Sequence, residues 1–173
     1  SGRKNGAAGS AACGLSRQDA LLACLGEALE RRKIMWRDDV PVVRASFRQL
    51  DASAVEPNAF MLFSTQQYAL RKRWNAGKAR RDCVPEPFDV DDEIEWLRAS
   101  SLLDGDPVWI PVACVYLDDS GALRGSRYAV ADSNGCAVAA TSDEATFRAL
   151  MELVERDATG TWWYGRRECK QYD

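Results

Sequence analysis

Apolar residues recur three and four apart from position 21 onward, with Leu21, Leu22, Leu25, Ala28 and Leu29 set among charged neighbours. Ser16 stands just ahead as an N-cap, with Asp19 three residues on as an approximate capping box. This spacing predicts a helix from about Arg17 to Lys33. Val40-Pro41-Val42-Val43 reads as a short extended segment, and 58–78 as a helix ending in the basic cluster Arg71-Lys72-Arg73. Two prolines, Pro85 and Pro87, make 84–89 a loop. Ile94-Glu95-Trp96 alternates like a strand, Asp104-Gly105-Asp106-Pro107 is a turn, and 108–117 reads as a buried strand. Asp118-Asp119-Ser120-Gly121 is a second turn, a strand is predicted near 127–131, and Ser133-Asn134-Gly135 interrupts it. A last helix is predicted over 142–158, followed by the aromatic run Trp162-Trp163-Tyr164.

The order of elements predicts an α/β (α+β) fold in which antiparallel strand pairs pack against helices. At 173 residues the chain has room for one domain or a portion of one, with no second domain. Its 46% hydrophobic and 28% charged residues are those of a globular protein. Net charge is −3, which gives no global attraction to nucleic acid or anionic membrane, and no partner of either kind is expected. No apolar run approaches ~18 residues, and no apolar region follows Ser1-Gly2-Arg3-Lys4-Asn5-Gly6, so a cytoplasmic protein is expected. Arg71, Lys72 and Arg73, with Lys78, Arg80 and Arg81, read as a solvated face rather than a binding patch.

The absence of histidine narrows the chemistry most. It excludes a Ser-His-Asp triad, a Cys-His pair and any His-ligated metal. The six cysteines, Cys13, Cys24, Cys83, Cys114, Cys136 and Cys169, form no C-x-x-C pair and read as free thiols, mostly in the core. Trp162, Trp163 and Tyr164 read as core anchors.

The chain also contains a repeat. Glu152, Glu155 and Arg156 each stand 125 residues after Glu27, Glu30 and Arg31, so E-x-x-E-R occurs twice. A Gly/Ala-rich loop precedes each copy, and small residues coincide, Ala20 with Ala145 and Cys24 with Ala149. A separation this long is no solenoid period and suggests two related halves of one site. On each helix the glutamates and arginine share a face above small residues, opposite the apolar stripe. A single such pair is ordinarily a solvated surface pair, and only the duplication gives it further meaning.

Four carboxylates brought together by facing helices remain ionised only with cations between them. An all-oxygen donor set favours a hard ion, Mg²⁺ first, which commonly shares its coordination with phosphate oxygens. The arginines then contact phosphates or anchor the carboxylates. No G-x-x-x-x-G-K-[ST] loop is present, so the nucleotide site expected is of neither P-loop nor kinase type.

Cys24 to Arg31 resembles the S-x-x-E-x-x-E-R motif of the YcaO superfamily, and 133–137 through Glu152 to Asp157 resembles its S-N-G-x-A turn and E-x-x-E-R-D helix. The Trp162-Trp163-Tyr164 run and 96–111 resemble the family too. The motif serine is Cys24 in one copy and Ala149 in the other, and Ala12-Cys13-Gly14 stands where Gly-Lys-Gly is common. The resemblance implies the N-terminal portion of an ATP-binding domain in which Glu27, Glu30, Glu152 and Glu155 hold Mg²⁺ beneath ATP. It places Arg31, Asn134 and Arg156 in or beside the nucleotide site. The activity implied is cyclodehydration of Cys, Ser or Thr in a ribosomally made precursor peptide to thiazoline or oxazoline, by phosphorylation of a backbone amide oxygen. Thioamide or amidine formation, or a non-catalytic module binding a peptide or partner, are its alternatives. A leader-binding partner protein is the further partner it suggests, and a homodimer is expected because a partial domain exposes surface that its remainder would bury.

Overall fold

The computed structural model of the chain describes residues 10–50, 52–79, 82–118 and 121–168. Two compact units are present, 35–132 and the combination of 1–34 with 133–173. Helices and an antiparallel sheet together make the α+β fold that the sequence predicts.

In the unit 35–132, three strands, β1 (Val43–Ala45), β2 (Ile94–Ser100) and β3 (Pro107–Pro111), form an antiparallel sheet in the order β1-β2-β3. Val43 pairs with Trp96, and Trp96 with Pro111 on its other side. β2 is central, and its period-2 pattern sends alternate residues into two separate clusters. Ile94 and Trp96 join Ala45 and Tyr128, with Phe47, Phe88 and Trp109 against them. Leu97 packs against the second cluster, Val112, Ala113, Leu123 and Ala129. Glu95, also buried, would be costly there without partners. It has them: Arg44 lies 2.9 Å away, and the backbone N–H groups of Arg124 and Gly125 donate to its other oxygen at 2.9 and 3.4 Å.

Four sequence expectations are corrected in this unit. The extended segment is β1, displaced to Val43–Ala45 and past Pro41, which has no N–H for a ladder. The helix expected over 58–78 is three short ones, α2 (Pro57–Met61), α3 (Thr65–Ala69) and α4 (Arg71–Asn75). Leu62 takes a left-handed conformation, φ 55°, and ends α2; Ser64 and Gln67 then form a capping box that starts α3 afresh. The Asn58 side chain holds the break by exchanging two 3.0 Å hydrogen bonds with the Phe63 backbone. The strand expected over 108–117 stops at Pro111, and Val112–Cys114 is a 3-10 turn. No strand forms over 127–131. Arg124–Arg127 is a 3-10 turn whose bonds, such as Tyr128 N–H to Gly125 O at 2.9 Å, replace a ladder. Tyr128, Ala129 and Ala131 are buried there without strand pairing.

In the other unit, α1 (Arg17–Lys33) has the predicted limits, whereas α5 (Ser142–Gly165) runs past 158 and includes the aromatic run. Trp162, Trp163 and Tyr164 are exposed on it, contrary to their expected core role. Neither helix has a fully buried residue. Among the described residues no helix is long and apolar enough to cross a membrane.

Candidate nucleotide and metal site

The two motif helices begin in the same way. Ser16 Oγ accepts the Asp19 N–H at 3.2 Å, and Thr141 Oγ1 accepts the Glu144 N–H at 3.2 Å. Thr141 stands 125 residues after Ser16, so the caps repeat with the motifs. A cap of this kind satisfies an N–H left over in the first turn and fixes the helix start.

Beyond the caps, the same positions on each helix are half-buried: Ala20, Cys24 and Glu27 on α1, and Ala145, Ala149 and Glu152 on α5. The apolar stripe lies on the other face of each helix. Leu21, Leu22, Leu25 and Leu29 are exposed, as are Phe147, Leu150 and Val154. Within this unit the covered face of each helix is therefore the one that carries the carboxylate.

Each first glutamate is held from two sides. One oxygen of Glu27 pairs with Arg31 at 2.5 Å, and the other accepts the Ala11 N–H at 3.2 Å. Glu152 pairs with Arg156 at 3.7 Å and accepts the Gly135 N–H at 3.2 Å. Both arginines thus anchor carboxylates, one of the two roles open to them from sequence. Glu30 is half-buried and Glu155 exposed. Burial raises the Glu30 pKa above the ordinary carboxylate value; the charges of Glu152 and Glu27 raise it further, and Arg31 opposes them. Asn134 is exposed in the turn before Gly135.

The loop contacts were not legible in the sequence. Cys24, at the motif's serine position, donates its thiol to the Ser10 carbonyl at 3.2 Å. Cys24 and Glu27, one turn apart, therefore grip consecutive residues of the loop. Gly135 has φ 76°, and a Cβ there would lie 3.1 Å from Leu153. Gly135→Ala is expected to lower stability by about 1–2 kcal/mol through the left-handed backbone and the crowding of Leu153. Thermal unfolding checks this, and an unchanged midpoint would refute it.

Glu30 also gives a pH dependence. A carboxyl whose folded pKa is raised binds protons more tightly folded than unfolded, so its ionisation lowers stability as pH rises through that window. The loss is complete above the raised pKa and absent below the ordinary value near 4.5. In EDTA, Glu30→Gln is therefore expected to melt higher than the parent at pH 7 and together with it near pH 4. An equal gap at both values would contradict the assignment.

Among the described residues, no group of three or more His, Cys, Asp or Glu is gathered to hold a metal ion. The convergence of all four glutamates expected from the sequence is therefore not seen among these residues; Mg²⁺ is commonly held by one or two carboxylates plus phosphate oxygens and water. The donors present are hard carboxylate oxygens on two helices, with Glu30 within electrostatic reach of Glu152, and they fit such an ion.

The remaining candidates are less pointed. Arg71 lies 3.5 Å from Glu86, and the Lys78 ammonium sits over Trp74. Arg80 and Arg81 lie outside the described residues, as do Asp119, Ser120, Cys169 and residues 1–9. The other five cysteines are free thiols, as expected. Their expected core placement is corrected: Cys13 is exposed, and Cys24, Cys83, Cys114 and Cys136 are half-buried. Burial pushes the Cys114 thiol up to about 12, so it is no nucleophile near neutral pH.

A family model described as YcaO cyclodehydratase, ATP- and Mg²⁺-binding, matches residues 11–173. The chain belongs to the YcaO family. A solved structure described as a heterocyclase in complex with substrate and cofactor is 33% identical, with TM-score 0.83 over 95% of this chain and 22% of its own. The heterocyclase TruD is 32% identical, with TM-score 0.78 over 88% of this chain and 22% of its own. A YcaO protein from Methanopyrus kandleri, solved with AMPPCP and Mg²⁺, shares the fold at 20% identity and TM-score 0.57, over 95% of this chain and 36% of that one. The chain thus spans about a fifth of the length of the two heterocyclases. The cofactors expected from sequence, ATP and Mg²⁺, are those named in the family's description.

Proposed function

We propose that this chain forms the N-terminal portion of a YcaO ATP-binding domain in an enzyme that cyclodehydrates Cys, Ser or Thr of a ribosomally made precursor peptide. The observation that carries this reading is the duplicated arrangement in one unit: a carboxylate tied to an arginine and to a loop N–H, once at Glu27 and again at Glu152. Family membership and the likeness to heterocyclases support the reaction class.

In this reading Glu27, Glu30, Glu152 and Glu155 hold Mg²⁺, which supplies charge neutralisation for the ATP phosphates. Arg31 and Arg156 orient Glu27 and Glu152 through their ion pairs and stand beside the nucleotide, with Asn134 contributing from its turn. The loops ahead of both helices offer backbone N–H groups to an anion. The substrate's thiol or hydroxyl adds to the preceding amide carbonyl, and the amide oxygen takes the γ-phosphoryl group from ATP. That oxygen then leaves as phosphate, giving thiazoline or oxazoline with ADP as co-product. The precursor peptide is the primary partner, and a leader-binding protein is a further one.

Calorimetric titration of Mg²⁺–ATP into the chain, with an EDTA control, tests the first half of this reading. Metal-dependent binding is the expected result. Absence of heat from folded protein would remove the nucleotide site from these residues and leave a peptide- or partner-binding module.

A further inference from the structure

Glu27 and Glu152 do more than stand in a carboxylate cluster, because each has an oxygen committed to the loop ahead of its own helix. The donors are Ala11 N–H and Gly135 N–H, both at 3.2 Å. The same N–H groups belong to Gly/Ala-rich segments that lie against the motif glutamates, where a phosphate sharing their cation would also sit. One backbone N–H donates well to one acceptor at a time. While the carboxylate holds it, it is withheld from a phosphate oxygen.

We propose that Glu27 and Glu152 are latches: in the cation-free protein each holds its loop closed on its own carboxylate, and engagement of that carboxylate by Mg²⁺ frees the loop N–H for an anionic ligand. This rests on the Mg²⁺–nucleotide reading above and adds a regulation to it, since cation and anion then bind in an obligatory coupling rather than independently. Cys24 is a positioning residue for the first latch. Its thiol holds the Ser10 carbonyl at 3.2 Å, one residue before the N–H that Glu27 accepts. The second latch has Ala149 at the corresponding position, which offers no donor. The first loop thus has a thiol contact from its helix that Ala149 cannot supply to the second.

Amide hydrogen exchange of the 173-residue chain, read on peptides covering 10–16 and 133–141, tests this in three solutions: EDTA, Mg²⁺ alone, and Mg²⁺ with a non-hydrolysable ATP analogue. In EDTA, Glu27→Ala is expected to speed exchange at Ala11, and Glu152→Ala at Gly135, by roughly two- to tenfold, the effect of losing one hydrogen bond. Neither position is fully buried and alanine is the best helix former, so both variants keep their helices, which circular dichroism verifies. Cys24→Ala is expected to loosen 10–16 only, and Cys24→Ser, which keeps a donor, to restore it. Mg²⁺ alone is expected to speed exchange in both loops of the parent, and the analogue to slow it again.

Unchanged exchange in the alanine variants in EDTA would overturn the latches themselves. Unchanged exchange with Mg²⁺ that calorimetry shows to be bound would overturn the coupling while leaving the nucleotide reading intact. Absence of any Mg²⁺ binding would overturn both the coupling and that reading.

Discussion

Glu152→Gln is expected to weaken Mg²⁺-dependent ATP binding by at least about 100-fold while leaving the fold in place. Glutamine keeps the shape of the side chain and an amide oxygen to accept the Gly135 N–H, so the local backbone at 3.2 Å is not what the substitution removes. It removes a charge. That charge acts on Glu30 from the other motif helix, and it faces Arg156 at 3.7 Å on its own. Losing one carboxylate of a hard-ion site costs more than the 10–100-fold typical of residues that only support a ligand. Glu144→Gln is the matched control, because Glu144 lies on α5 and is paired with Arg148 at 2.6 Å, but that pair is an exposed one. Exposed pairs of this kind contribute a few tenths of a kcal/mol, and nucleotide affinity should not change. Calorimetry of both variants beside the parent decides the matter. Equal affinities in all three would mean that Glu152 has no part in holding the ion.

The carboxylates were legible in the sequence because they repeat at a fixed interval and because helices impose known neighbours. Ser16 and Thr141 share that interval, so the starts of α1 and α5 were legible as well. The loop N–H groups on Glu27 and Glu152 were not, since they depend on the path of the backbone before each cap and leave no trace in residue type. Where the reading failed, a local event overrode a periodic one. At Leu62 a left-handed residue ended α2, and the Ser64-x-x-Gln67 capping box, visible in the sequence, outweighed the helical pattern around it. At 127–131 a strand was read where the 3-10 turn over Arg124–Arg127 bonds locally, and Tyr128, Ala129 and Ala131 are buried without a ladder. The ordinary amphipathic rule does not hold in α1 and α5. It assigns the leucine face to the interior, whereas the positions half-buried in this unit surround the glutamates. A helix pattern reports which side is apolar; which side is covered depends on what packs against it.

Trp96→Ala is expected to destabilise the unit 35–132 by about 3–5 kcal/mol, a large share of the about 5–15 kcal/mol that holds an ordinary domain folded. Trp96 is fully buried at the middle of the sheet, paired with Val43 on one side and Pro111 on the other. Its ring lies 6.1 Å from Phe47 and 6.5 Å from Phe88, so truncation opens a void lined by aromatic rings that cannot close over it. The indole N–H also donates to the Ala45 carbonyl at 2.9 Å, which joins the side chain to β1. Trp96→Phe separates the two contributions. It keeps a ring in the cluster and loses the N–H, and its cost should fall to about 1–2 kcal/mol. Trp74→Ala is the outside reference, since Trp74 is 45% exposed and should cost less than either. Urea titrations of the three variants order them as Trp96→Ala, Trp96→Phe, Trp74→Ala. A midpoint for Trp96→Ala equal to that of Trp74→Ala would mean that the aromatic cluster is not what holds this sheet together.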